Sequence, residues 1–301
     1  MKKSDMKSKW KYLLLLLAVY GGIQHAGAQI LTESRKVSRS FSANNETTVD
    51  IQNKYGKVHI VTWDKDSVRV IISMQLQSDS EERISELKRH INFDFTETPT
   101  YLIVRTDIGP SGKGFFGDLK DIARSLSSSG NEVQINYKVF LPEYVNLKVS
   151  NKYGDIYASS LSGDLTIRLD NGDLKADNFR GRADIEIQFG DAVVNSIGDG
   201  RISLNYAEIY AKEAGQLTID SKSSKITIDK VESLKINSKR DKFYVKEIDK
   251  IYGSSSFSDF WIHYLSTEAS CNIKYGHFNM EAVSAGFSFL NFTSRYTDLG
   301  L

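Results

Sequence analysis

Four acidic residues recur at one point of a repeated phrase. They are Asp155, Asp173, Asp191 and Glu208, spaced 18, 18 and 17 residues apart. Carboxylates at a fixed period stack into a column about 4.8 Å per layer if the chain coils. Such a column is either a row of oxygen ligands for a cation or a solvated corner. Two unit charges at that spacing repel by roughly 0.9 kcal/mol in water, which side-chain flexing and screening absorb without a bound ion. Lys225 and Lys242 then take the same place in the phrase and would repel a calcium string. The glycine-rich nonapeptide of calcium β-rolls is also missing. The expectation is a solvated corner, with no metal and no cofactor.

Other groups could do chemistry. Asp184 and Glu186 point to the same side of one alternating run, with Asp220 two repeats on. Paired carboxylates across a sugar are the machinery of glycoside hydrolysis. Outward strand positions are also charged for solubility alone, which is the plainer reading. Beyond the N-terminal leader the histidines are His59, His90, His263 and His277. His263 and His277 sit one repeat apart, either approaching each other or lying separately on the surface. Gly112-Lys113-Gly114-Phe115-Phe116-Gly117 matches the dinucleotide fingerprint in letters only. That motif needs a strand before it and a helix after it; here Pro110-Ser111 precede it, so the stretch reads as a loop. Outward positions after the phrase carry Tyr157, Tyr210, Tyr244 and Trp261, with Lys175, Val193 and Thr227 between them. Aromatic and β-branched residues favour strands anyway. The same stripe could stack sugar rings or dock a partner.

These residues are positioned by the phrase itself. It opens as Asn53-Lys54-Tyr55-Gly56-Lys57 and returns as Asn151-Lys152-Tyr153-Gly154-Asp155. Asn171-Gly172-Asp173, Phe189-Gly190-Asp191, Tyr206-Ala207-Glu208 and Tyr275-Gly276-His277 follow. A period of 17 or 18 residues, with alternating apolar runs before and after each turn, predicts an all-β chain: a single parallel β-solenoid. Leu165-Thr-Ile167 and Ile226-Thr-Ile228 are examples of the two runs. A third apolar site recurs at Leu161, Phe179, Ile197, Val231, Ile248, Leu265 and Val283, near Gly163, Gly181, Gly198 and Gly215, where a corner excludes a Cβ. Tyr153, Phe189, Tyr206, Phe257, Tyr275 and Tyr296 form a second aromatic column, read as packing over the corners. Cys271 falls on an inward position, in the column of Ile236. One coil cannot bury its own apolar face, so the coils must stack.

Residues 1–28 read as a signal peptide: Lys2, Lys3, Lys7, Lys9 and Lys11, an apolar core from Leu13, and Ala26-Gly27-Ala28 before Gln29. Without the leader's five Lys and one Asp, 34 basic residues face 37 acidic ones, a net of −3. That balance predicts no nucleic-acid partner. No second long apolar run predicts a membrane span, and no cysteine follows the leader to carry a lipid. Cys271, the one cysteine, has no internal disulfide partner. Residues 29–142 read as the first coil, Thr48–Ile51 with Val58–Ile60 and Val68–Val70, plus a cap. The cap holds a helix over about 80–91, capped by Ser80, and a loop over 107–131 with a short amphipathic stretch. Strands follow the helix near Tyr101–Val104 and Val133–Phe140. Residues 143–301 are the remaining coils.

The leader, Asn53-Lys54-Tyr55-Gly56-Lys57-Val58-His59-Ile60, Trp63-Asp64 and the later Asn-x-Tyr-Gly-Asp and Asn-Gly-Asp turns resemble the bacterial "putative adhesin" family of unknown function. The resemblance runs from about Phe41 to the C-terminus. It implies an envelope β-solenoid and brings no catalytic residues with it. The leading expectation is a non-enzymatic exported protein of the periplasm or cell surface that binds glycan or protein. A polysaccharide-active enzyme and an envelope sensor with a regulatory partner are the alternatives. Ser294–Leu299 repeats the phrase with no polar cap behind it, which predicts either a fragment of a longer chain, or an end covered by a partner or, in end-to-end self-association, by a second copy.

Overall fold

The computed structural model describes residues 30–109 and 132–300. The leader with its Ala28–Gln29 junction, the Gly112–Gly117 stretch and the amphipathic segment of the loop lie outside the described residues. The fold is a parallel β-solenoid of about nine turns. Among the described residues no helix is long and apolar enough to cross a membrane.

Each coil contributes one strand before the turn and one after it. The pre-turn ladder runs through β2 (Thr48–Lys54), β8 (Asn146–Lys152), β10 (Leu165–Asp170), β12 (Ala183–Gln188) and β14 (Gly200–Asn205). All neighbours pair in parallel, Val49 with Leu147, Leu147 with Leu165 and Leu165 with Ala183. The post-turn ladder runs through β3 (Val58–Trp63), β9 (Ile156–Ala158), β11 (Leu174–Phe179) and β13 (Asp191–Ile197). Beyond these, β15 (Glu208–Lys222), β16 (Lys225–Lys239), β17 (Lys242–Ser256) and β18 (Asp259–Val283) each bend through the second corner and serve both ladders. β19 (Phe289–Gly300) closes the series against β18.

The inward columns are those the alternation predicts. Ile167, Ile185, Ile202, Ile219 and Ile236 are buried one above another. Burying each such side chain is worth about 1.5–3 kcal/mol. Phe243 and Phe260 stack inside at 4.6 Å between centroids. Leu161 bridges Phe179, and Phe179, Ile197, Val231, Ile248 and Leu265 fill the third column. Val283 departs from that expectation and is 47% exposed. The strand after Tyr296 ends opposite Asn279, so no described residue covers Val283.

The N-terminal end is built in a different order from the chain. β6 (Tyr101–Ile108) pairs in parallel with β2, and β7 (Glu132–Pro142) pairs in parallel with β3. These later strands form the layer outside the β2–β3 coil. The Val68–Val70 run does not join that coil. It belongs to β4 (Ser67–Ser78), which runs antiparallel between β1 (Leu31–Ser42) and β7. The open edge of the first coil is satisfied by strands that arrive after it. α1 (Glu81–His90) starts at Ser80, whose hydroxyl accepts from Arg83 N, and buries Ile84 and Leu87. Ile91 is the first residue of β5 (Ile91–Glu97), antiparallel to β6, rather than the last of the helix.

Candidate functional site

The turn backbone explains where the side chains go. Tyr55, Tyr153, Asn171, Phe189, Tyr206, Ser223, Arg240, Phe257, Tyr275 and Tyr296 all lie at φ between 51° and 61°. A residue in this left-handed region costs roughly 1 kcal/mol or more, and here it turns the aromatic ring outward. The following glycines, Gly56, Gly154, Gly172, Gly190 and Gly276, serve another purpose. A Cβ on any of them would lie within 2.2 Å of a carbonyl oxygen of the neighbouring coil. Gly163, Gly181 and Gly215 exclude a Cβ at the opposite corner in the same way.

The turn rings therefore do not pack over the corners. Tyr153, Phe189, Tyr206, Phe257, Tyr275 and Tyr296 are 42–75% exposed. They stack on one another along the solenoid edge: Tyr55 with Tyr153 at 5.4 Å, Phe189 with Tyr206 at 5.5 Å, Phe257 with Tyr275 at 4.8 Å and Tyr275 with Tyr296 at 5.1 Å. The row is broken by Asn171, and again by Ser223 and Arg240. Each break leaves the bordering rings without an aromatic neighbour on one side, and lysines approach two of them, Lys152 at 5.1 Å from the Tyr153 ring and Lys222 at 6.0 Å from the Tyr206 ring.

The predicted stripe is one straight column. His59 pairs with Tyr157, Tyr157 with Lys175, Val193 with Tyr210, Thr227 with Tyr244 and Tyr244 with Trp261. Tyr244 and Trp261 stack at 4.7 Å with their planes 4° apart. Their facing sides are thus covered by each other. Tyr210 donates to Asp229 at 2.8 Å and Tyr157 donates to Asp155 at 3.1 Å.

The acidic column holds coil to coil. Asp155 Oδ1 accepts from the backbone N–H of Asp173, and Asp173 Oδ1 from that of Asp191. Lys57 pairs with Asp155 at 3.3 Å and Lys225 with Glu208 at 3.1 Å. Hydrogen bonds from Asp173 N–H, Tyr157 and Lys57 outweigh burial and hold the Asp155 carboxyl below its ordinary value. At Asp191, burial and the neighbouring Asp173 and Glu208 push the other way. His59 joins this corner, its ring 4.5 Å from Tyr157. Burial, then Lys138 and Lys57, lower its pKa.

The remaining candidates are dispersed. His263 bonds Glu281 at 2.6 Å, whereas His277 bonds Asp259 at 2.8 Å. His277 and Glu281 are four residues apart on the strand that faces His263, about 13 Å at strand rise. The two histidines do not meet. Glu186 pairs with Arg168 and Asp220 with Arg201. Ser203 lies between Glu186 and Asp220 in their column. A shallow groove of about 500 Å³ runs beside them, lined by Lys152, Arg168, Asp170 and Glu186. Lys152 and Asp170 close a 2.6 Å ion pair there.

The inner corner beneath the turns changes character along the axis. Asn53 donates to the Ile135 carbonyl of β7, and Asn151 to the turn carbonyls of Gly56 and Gly154. Leu169, Ile187 and Leu204 follow, all buried, and then Ser221, Ser238 and Ser255. Asp241, 1% exposed, accepts there from Ser221 Oγ, Ser224 N and Lys239 N at 2.7–2.8 Å. Burial raises its pKa against those bonds. No sequence signal marked this network, because its members sit on successive coils.

No family model and no curated protein matches the chain. Solved structures do resemble it. One described as a "putative adhesin" from Parabacteroides distasonis is 10% identical, with TM-score 0.40, covering 89% of this chain and 97% of that one. Another so described, from Parabacteroides merdae, is 9% identical, with TM-score 0.42, covering 88% and 96%. A "putative lipid binding protein" from Parabacteroides distasonis is 10% identical, with TM-score 0.40, covering 89% and 96%. At such identities the function has to be argued from this chain's own residues.

Proposed function

We propose that this chain is a non-enzymatic, adhesin-like module, exported to the periplasm or cell surface, that binds glycan along the turn edge of its solenoid. The observation carrying this is the row of exposed turn rings, unstacked on one side at its breaks. A stacked ring inside the row has both faces covered. Tyr153, Phe189 and Tyr206 each have an aromatic neighbour on one side only, with the Lys152 ammonium 5.1 Å from the Tyr153 ring and the Lys222 ammonium 6.0 Å from the Tyr206 ring. Sugar rings stack their apolar C–H faces on aromatic faces of this kind, and exposed apolar rows this long are uncommon on soluble surfaces. Two coil layers separate Tyr153 from Phe189, about 9.6 Å, with Asn171 as the floor. That leaves one layer between them, the thickness of one ring. The leader reading supports export. The paired states of Glu186 and Asp220 weigh against the enzyme alternative, which needs carboxylates free to work across a sugar.

A glycan-array screen of the exported chain tests this. Tyr153→Ser with Phe189→Ser should abolish the strongest signals while far-UV circular dichroism stays unchanged. Tyr210→Ser with Tyr244→Ser and Trp261→Ser tests the flat-face stripe in the same assay. Binding lost only in the stripe variant would move the site to that face. Binding to proteins but to no glycan would overturn the reading.

A further inference from the structure

We infer that the wide break in the ring row, at Ser223 and Arg240, is a site for an acidic sugar, one whose ring carries a carboxylate or sulfate. This rests on the glycan-binding reading above and names its ligand class. Tyr206 and Phe257 border the break, 50% and 52% exposed, three coil layers or about 14 Å apart. On the Tyr206 side of the break lies a hollow of about 530 Å³ lined by Asp191, Tyr206, Glu208, Lys225, Arg240 and Lys242. Ser223 places no ring beside Tyr206, and the hollow reaches that layer.

The charge around the hollow is mixed with a positive excess: Asp191 and Glu208 line it together with Lys225, Arg240 and Lys242. In register, Lys222 stands beside Lys239 and Lys225 beside Lys242, at strand spacing, with Arg240 between the two columns. Lys225 is paired with Glu208, and Lys222 lies 6.0 Å from the Tyr206 ring. Lys239, Arg240 and Lys242 are exposed and have no carboxylate partner among the described residues. Asp241 is close in sequence but turns its carboxylate inward to Ser221, Ser224 and Lys239 N–H. That repulsion is small and screened at the surface and compels no ligand, but three exposed cations without carboxylate partners form a positive patch complementary to an anion. An aromatic wall and a guanidinium with lysines are the complementary groups for a sugar face and its acidic substituent. Neither half alone recognises an acidic sugar. Here both border one hollow.

The test is calorimetric titration of the exported chain with oligogalacturonate and with heparin oligosaccharide, beside a neutral maltooligosaccharide. Two variants are compared, Lys239→Gln/Arg240→Gln/Lys242→Gln and Tyr206→Ser/Phe257→Ser. All five positions face solvent, and circular dichroism verifies the fold. At least one acidic oligosaccharide should bind, with each variant weakening it about tenfold or more. The neutral sugar should not bind at this site. Full affinity in the charge variant overturns the proposal. So does full affinity in the ring variant, or equal binding of a single-stranded oligonucleotide or phosphatidylglycerol vesicles; any of these would mean a general polyanion surface. Neutral glycans binding at Tyr153 and Phe189 while acidic ones do not would sink this inference and leave the broader function standing. No glycan binding at all would sink both.

Discussion

Gly190 lies so close to Gly172 of the preceding coil that a Cβ at 190 would meet the Gly172 carbonyl oxygen at 1.9 Å. The need for glycine follows what fills the corner. Where the residue three positions earlier is large, as in Asn151–Gly154, Leu169–Gly172, Ile187–Gly190 and Ile273–Gly276, the turn has glycine, with Leu204–Ala207 the exception, where a small buried alanine is fitted. Where it is serine, as in Ser221–Ser224, Ser238–Asp241 and Ser255–Ser258, the turn carries a side chain that is buried beneath it. One corner volume is filled from either direction.

Gly190→Ser should therefore destabilise the chain by about 1–3 kcal/mol through overpacking. Adding Ile187→Ser makes the corner resemble that of Ser221 and Ser224. The double variant should be more stable than the sum of the single losses predicts, by about 0.5–3 kcal/mol. Urea unfolding of the three variants checks this; strict additivity would show that the two side chains do not share the space.

Cys271 is 4% exposed and its thiol is pushed up to about 12 by burial. It stands in register with Gly253 and, one coil further, Ile236. A buried neutral thiol is a poor nucleophile. Labelling by a thiol reagent at neutral pH should be negligible in the native protein and complete in denaturant. Fast labelling without denaturant would contradict the inward placement.

Much of this architecture is legible in the sequence because the turn phrase carries its own period. Counting from Tyr153 places Ile167, Ile185 and Cys271 inward without a structure. The N-terminal order is not legible, since nothing local tells β6 to pair with β2 about 53 residues before it. Parallel pairing across an intervening helix and hairpin has no periodic signature. The exposure of the turn rings was hidden for another reason. Tyr-Gly suggests that glycine takes the left-handed conformation, but Tyr55 and Tyr153 take it, and that swings their rings outward. The cationic hollow was hidden by distance along the chain: Lys225 and Lys242 are neighbours only once a 17-residue coil is closed.

His277 links three coils. Its Nδ1 bonds Asp259 at 2.8 Å and its Nε2 lies 3.2 Å from Asp298. Asp259, through its hydrogen bond and charge, and then Asp298 raise the His277 pKa above its ordinary value. A raised folded value means the stabilisation is fully present below the unfolded value of about 6.5 and fades as pH rises through the folded one. Amide protection in Thr297–Gly300, corrected for intrinsic exchange, should fall as pH climbs through that window. In His277→Ala the protection should be lower at acidic pH and flat across the range. A wild-type profile as flat as the variant's would remove the linkage.

β19 has a strand neighbour on one side only among the described residues, and Phe289, Leu290 and Leu299 are 48%, 43% and 41% exposed along it. An edge with free backbone groups and apolar side chains is a template for another strand. The N-terminal end differs, since β1, β4 and β5 run antiparallel there and α1 covers part of it. Association should therefore join two β19 edges rather than build a head-to-tail fibre, giving a closed dimer. Sedimentation velocity over a wide concentration range should show monomer passing to dimer and stopping there. Leu290→Lys with Leu299→Lys places charge on that edge and should hold the chain monomeric, with far-UV circular dichroism unchanged. A wild-type monomer at every concentration, with slow amide exchange across Leu290–Leu299, would show that this edge needs no cover.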